Sequence, residues 1–417
     1  MTRILAAEWV LPISFPPINA GALAIQNDLI VSVGTLNRVQ EEFPDAPVSD
    51  FGQAALLPGF VNAHTHLELT RFRDTLETAD FPAWIAELVR RKREETTRED
   101  LLNSARLGCE EAIQSGITTV ADTAESDVVF PSLIDSGLRG IVYQECFGPD
   151  PGIAEKSLRA LSEKLDAMGE RPGRIRIGIS PHAPYTVSSE LYRRATALAL
   201  ELGLDLALHV AESDDELNFM SDGGGAFGIA LRKREIAWQP PGVSTIEYLN
   251  NLGVLGAGPL LIHCVQASRS DFELMAANGA RLAHCPKSNA KFGHGIADLI
   301  EAQRAGVVCG LGSDSVASNN TLDLIEEGRF CALFHRAAKR DGSVLPASEV
   351  LRLMTLDGAR ALKWDDAIGS LEAGKKADII AIRLDKTSDP ETSIVFSSSR
   401  SDVVMTMVDG VELVSAS

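Results

Sequence analysis

Eight short apolar runs recur through the middle of the chain, at 55–62, 118–121, 140–144, 175–179, 205–210, 260–264, 281–283 and 307–311. Stretches of helical period separate most of them, for example 98–114, 188–202, 268–277 and 296–305. Strands that alternate with helices specify a parallel sheet, because a parallel connection needs a crossover and a helix supplies it. Eight such units predict an α/β chain with a (β/α)8 TIM barrel. The two ends read differently. Short strands and turns fill 4–13, 22–25 and 29–33 at one end, and 368–371, 377–382, 403–408 and 411–414 at the other. No segment of helical length appears in the first fifty-five residues, and neither end alone has enough strands to bury a face. The two ends are therefore expected to form one small β-sandwich domain. The expected division is 1–55 (small β domain), 56–367 (barrel) and 368–417 (the rest of the small domain).

In a TIM barrel, chemistry sits just past the C-terminal ends of the strands. Those places hold His64 and His66, then Asp122, Glu145, His182, His209 with Glu212, His263, His284 and Asp314. Of eight histidines in the chain, the two that fall elsewhere are His294, in a loop, and His335, in a helical stretch. His64-Thr65-His66 at an extended strand end puts two imidazoles on one face, where they can grip one metal ion. An HxH pair alone is a weak signal. Further His and Asp residues at other strand ends make it a strong one.

The motifs PGFVNAHTH (58–66), SPHAPYT (180–186), HVAES (209–213), IHC (262–264), CPKSN (285–289) and GSDS (312–315) follow one another in this order. In this the chain resembles the amidohydrolase superfamily, and within it the adenosine- and cytosine-type aminohydrolases grouped with the ATZ/TRZ chlorohydrolases. The resemblance implies His64, His66, His209 and Asp314 as ligands of one divalent metal ion, Zn²⁺ or Fe²⁺. It also implies catalytic roles for Glu212 and His263, and Asp314 can take a catalytic part by orienting the hydroxide while it ligates. The residue types agree with that assignment. Three imidazoles and a carboxylate leave a position for water, whose pKa the metal lowers towards about 7. Glu212, three residues after His209, can take that water's proton and pass it to a ring nitrogen. Binuclear relatives carry a bridging lysine on the fourth strand, where this chain has Ser180-Pro181-His182, so one metal and deamination of a ring are expected.

His182, Glu68, Trp84 and Glu145 are candidate substrate contacts. Glu68 is placed to accept hydrogen bonds from ribose hydroxyls or a ring amine, and Trp84 with Phe81 to form an apolar lid. Asp122 and Glu145 read equally as ties between loops, Asn289 as ordering the loop after the seventh strand, and Cys285 as packing. HTHLELT followed by Phe81-Pro82-Ala83-Trp84-Ile85 resembles the aminodeoxyfutalosine deaminase branch, which acts on an adenine nucleoside in menaquinone synthesis. It departs from the methionine-bearing loop of the S-adenosylhomocysteine and methylthioadenosine deaminases. The alternatives are those enzymes, another nucleobase deaminase, a chlorohydrolase or amide hydrolase using the same hydroxide, and, from another class, a non-catalytic amidohydrolase-like scaffold.

Charge narrows the partners. A net charge of −19 opposes a nucleic-acid surface, which needs clustered Lys and Arg. The longest basic run, Arg90-Arg91-Lys92-Arg93, adjoins Glu94 and Glu95 and reads as a solvated helix face. No apolar run approaches the roughly 18 residues a membrane helix requires, and the N-terminal stretch lacks a signal-peptide pattern. Six cysteines without a CxxC pair fit reduced, buried thiols and a cytoplasmic setting. The expected partner is a small-molecule substrate, and a homodimer stays open.

Overall fold

The computed structural model describes residues 2–77, 80–169 and 172–415. Among the described residues sixteen strands make two eight-stranded sheets. Those of the N-terminal part are β1 (Thr2–Val10), β2 (Ile18–Gln26), β3 (Leu29–Thr35), β4 (Val48–Asp50) and β5 (Ala54–Pro58). The barrel follows as β6 (Phe60–Thr65), β7 (Ile117–Ala124), β8 (Arg139–Cys146), β9 (Ile175–Pro181), β10 (Asp205–Val210), β11 (Leu260–His263), β12 (Arg281–His284) and β13 (Val308–Leu311). The chain ends with β14 (Ile379–Arg383), β15 (Val403–Val408) and β16 (Val411–Ser415).

Strands β6 to β13 lie in sequence order and pair in parallel. A parallel bridge between Thr65 and Asp314 closes the first strand onto the last. Asn62 clamps the same seam: its Nδ2 donates to Ser313 Oγ at 2.7 Å, and its Oδ1 accepts from Ser313 N at 2.9 Å. The expected TIM barrel is what the chain forms. Along β10, Leu206 and Leu208 pack outward with the helices, while Ala207 joins Val61, Ile141, Tyr143 and Ile262 in a separate interior cluster. Trp364 and Ile368 belong to that interior cluster too. This is the period-two pattern of a closed sheet with apolar groups on both faces.

The terminal strands form the second sheet, in the order β16-β15-β14-β5-β1-β2-β3, with β4 on β1. Strand β5 sits between β14 and β1, so the two ends of the chain are interleaved. In β1, Leu5 and Ala7 join one apolar cluster, whereas Ile4 and Ala6 join another that includes Val39. Val39 comes from a short helix, Leu36–Glu42, which the reading of the first fifty-five residues as strands and turns did not contain. Its seven residues are too few to show a period.

Two further differences have local causes. The apolar run 55–62 is two strands, because β5 pairs in the terminal sheet and β6 in the barrel. The switch falls at Gly59, where a Cβ would lie 2.1 Å from the Thr118 side chain. The run 368–371 is not a strand: Gly369 has φ +89°, and Ile368 and Leu371 go to different clusters. Among the described residues no helix is long and apolar enough to cross a membrane, and all six cysteines are buried and free.

Candidate functional site

Local backbone departures, rather than plain alternation, aim the site residues. In β6 the register against β7 shifts between Asn62 and Thr65. Val61 and Ala63 face the interior, so regular alternation would turn His64 and His66 away from it; the shift lets both enter. His209 needs no such device, since it shares the inward face of Ala207 on β10. His263 has φ +71° and Asp314 φ +57°, in the left-handed region that non-glycine residues seldom occupy. Ala211, beside Glu212, has φ +51°. Such outliers persist where their surroundings over-determine them, and here they surround one cavity mouth.

His64, His66 and His209 meet at the C-terminal end of the barrel, with ring centroids 4.8, 5.0 and 5.4 Å apart. His66 Nδ1 lies 2.7 Å from Thr123 O and His209 Nδ1 3.2 Å from His182 O. Carbonyls only accept, so each Nδ1 carries the proton and each Nε2 presents a lone pair. Those two Nε2 atoms face each other at 3.3 Å. Two lone pairs at that distance repel unless a cation lies between them. Among the described residues His64 Nε2 is buried without a hydrogen-bond partner, and Asp314 Oδ1 lies 3.3 Å from it and 3.6 Å from His66 Nε2. Burial lowers all three imidazoles, His64 to about 4, which keeps them neutral as ligands require. Asp314 also accepts from Ser288 Oγ at 2.6 Å, Ser318 Oγ at 2.9 Å and Ser315 N at 2.6 Å. This donor set fits a divalent metal ion.

Glu212 faces the same cavity. Its Oε1 is 3.5 Å from His263 Nε2 and 3.9 Å from His294 Nε2. Burial pushes its carboxyl well above the usual range. His263 is oriented by Asn289, whose Oδ1 accepts from Nδ1 at 2.9 Å. A second carboxylate holds the backbone that carries Glu212: Glu216 accepts from Ala211 N at 2.6 Å, Glu212 N at 3.2 Å and Thr245 Oγ1 at 2.6 Å.

The cavity above these groups has a volume of about 470 Å³. Trp84 and His182 line it, as the sequence predicts for substrate contacts. Glu68 does not. It is buried below the wall, where Ser126 and Lys92 donate to its carboxylate, and Lys92 takes the place at the surface. Glu145 is likewise buried behind the wall, 7% exposed, and burial raises it to about 8. Asp122 ties a loop, accepting from Leu67 N at 2.6 Å. Cys285 packs in the barrel interior. His284 is buried with neither ring nitrogen bonded among the described residues, away from the cavity. Sequence reasoning missed Phe292 and His294, which pack edge-on against Phe81 at 5.1 and 4.6 Å. No period or motif marks them, since they lie in the irregular segment after CPKSN.

The amidohydrolase family model matches residues 55–413. The chain is 33% identical over 417 residues to the 5-methylthioadenosine/S-adenosylhomocysteine deaminase of Moorella thermoacetica, covering 98% of this chain and 94% of that protein. It is 32% identical to the 5'-deoxyadenosine deaminase of Methanobrevibacter smithii, covering 96% and 89%. Among solved structures, an adenosine deaminase from Xanthomonas campestris with bound zinc superposes with a TM-score of 0.88 at 26% identity, covering 99% of this chain and 93% of that one. A family match over most of the chain and full-length relatives above 30% identity agree with the barrel and its strand-end histidines: this protein is a hydrolase and belongs to the amidohydrolase family.

Proposed function

We propose that this chain is a metal-dependent hydrolytic deaminase of an adenine nucleoside, with His64, His66, His209 and Asp314 holding one divalent ion, Zn²⁺ or Fe²⁺. The observation that carries the reading is the pair of Nε2 lone pairs of His66 and His209 facing each other at 3.3 Å, beside Asp314 and within reach of Glu212. When bound, such an ion supplies Lewis acidity that brings the pKa of a water towards about 7. The reaction exchanges the exocyclic amine for oxygen: water adds at the amine-bearing carbon, and ammonia leaves. Glu212 accepts a proton from the attacking water and delivers one to the adjacent ring nitrogen. His263, fixed by Asn289, and Asp314, fixed by three donors, orient the water. Trp84 and His182 contact the nucleoside, and Lys92, held by Glu68, takes the contact first assigned to that glutamate.

The deaminase names of full-length relatives support an adenine nucleoside. Aminodeoxyfutalosine and the 5'-thio- and 5'-deoxyadenosines all belong to that class. The test is ammonia release from adenine, guanine and cytosine nucleosides by purified protein, with metal content determined in parallel. Adenine nucleosides should yield ammonia and the matching hypoxanthine nucleoside. A fully metal-loaded protein that deaminates none of the panel would overturn the reading.

A further inference from the structure

Away from the catalytic cavity, a second set of metal-binding side chains meets in the layer between the barrel and its helices. His284 is the last residue of β12. Its neighbours Ala283 and Cys285 face the barrel interior, so alternation turns the His284 ring outward, against the helix Leu324–Lys339. Cys331 and His335, four residues apart on that helix, share one face. The rings of His284 and His335 meet edge-on with centroids 5.4 Å apart, and His335 Nδ1 lies 3.9 Å from Cys331 Sγ. One ligand atom from each of the three residues lies within 4.8 Å of the other two. All three are buried, and none lines the catalytic cavity.

Hydrogen bonding within the protein does not satisfy these rings. His284 is 0% exposed, and among the described residues neither of its nitrogens has a hydrogen-bond partner. Buried polar groups are nearly always paired with protein, water or an ion. His335 has the opposite difficulty. Its Nδ1 faces Cys331 O at 2.8 Å and its Nε2 faces Ala297 O at 3.1 Å, yet a neutral imidazole donates from one nitrogen only. An added proton on His335 would answer both carbonyls and still leave His284 without a partner. A cation among the three side chains takes a lone pair from each ring.

We propose that His284, Cys331 and His335 form a second metal site, which takes one Zn²⁺ ion and ties β12 to the helix outside it. Ligands about 2.0–2.3 Å from one ion stand about 3.3–3.7 Å from each other, so small side-chain rotations close the set. A thiolate favours Zn²⁺ over harder ions such as Mg²⁺. Burial keeps the His284 ring neutral, as ligation requires, and pushes the Cys331 thiol up. As the ion enters, the S–H bond breaks, the S–Zn bond forms and the proton leaves to solvent. That deprotonation, and three protein ligands in place of four, make this the weaker of the two sites. It fills when metal is added and empties during purification. The site stands whether or not the protein deaminates a nucleoside.

Co²⁺ is the probe, because a thiolate bound to cobalt gives an intense near-ultraviolet charge-transfer band. The proposed catalytic ligands, three imidazoles and a carboxylate, give none. Metal-depleted protein titrated with Co²⁺ should bind about two equivalents, with the band growing over the second, and added Zn²⁺ should erase it. Cys331→Ser and His284→Ala should each keep the first equivalent and lose the band. If the parent saturates at about one equivalent with no band, the site is overturned and His284 is left to a buried water, a result that needs no variant to fold. A band that persists in either variant overturns the site as well.

Discussion

At the scale of single residues the site separates groups that hold charge from groups that move protons. His64, His66 and His209 are kept neutral by burial, and Asp314 accepts from three donors that favour its ionised form. With few protein donors available, each bond to the ion matters. His209→Ala should purify folded with metal content well below one equivalent by elemental analysis, and a full equivalent would remove His209 from the set. Glu212 is different in kind, because it lies outside the proposed ligand set. Glu212→Gln should keep near-parental metal and substrate binding while kcat falls at least about a hundredfold, the usual scale for losing a positioned acid–base. Turnover close to the parent rate would move the proton transfer to Asp314 or His263.

At the scale of elements, the strand-to-loop junctions decide where those residues point. Glu216 is the clearest case: one buried carboxylate collects two backbone N–H groups and a hydroxyl, and so fixes the strained turn at Ala211 that presents Glu212. Misplacing a catalytic group by about an ångström can cost about a hundredfold. Glu216→Gln turns an amide towards a donor, and should lower kcat by about ten- to a hundredfold with metal content unchanged. A folded variant with parental kcat would reduce Glu216 to a packing role. The same junctions set what the sequence could show. The residues proposed as ligands were legible as a cluster because eight strand ends recur at readable intervals and the barrel's geometry brings strand ends together. The contacts of Glu68 were not, because its partner Lys92 is 24 residues away on a helix that crosses the mouth. Nor could alternation along β6 or β11 foretell the register shift at Asn62–Thr65 or the positive φ of His263, which depend on neighbours distant in sequence.

At the scale of the whole molecule, the barrel and the terminal sheet are joined by buried charge as well as apolar packing. Alternate residues of β14 face in opposite directions: Ile380 and Ile382 enter the large core around the barrel, Ile379 and Ala381 the core of the terminal sheet. Beside them Arg139, at the start of β8, donates to Asp378 at 2.7 and 3.1 Å and to Asp409 at 2.5 Å, with the Arg139 side chain 3% exposed. Asp378 lies just before β14 and Asp409 in the turn between β15 and β16, so one guanidinium ties three parts of the chain together. Burying charges costs desolvation that their attraction offsets only when all are present, so removing one partner is far worse than removing the group. Arg139→Ala strands the buried Asp378 carboxylate and should destabilise the protein by about 3–5 kcal/mol, seen as a lower urea midpoint. Arg139→Met combined with Asp378→Leu and Asp409→Asn should recover most of that loss, because no buried charge is then left unpaired. If Arg139→Ala unfolded at the parental midpoint, the ion cluster would contribute nothing, and apolar packing alone would hold the terminal sheet on the barrel.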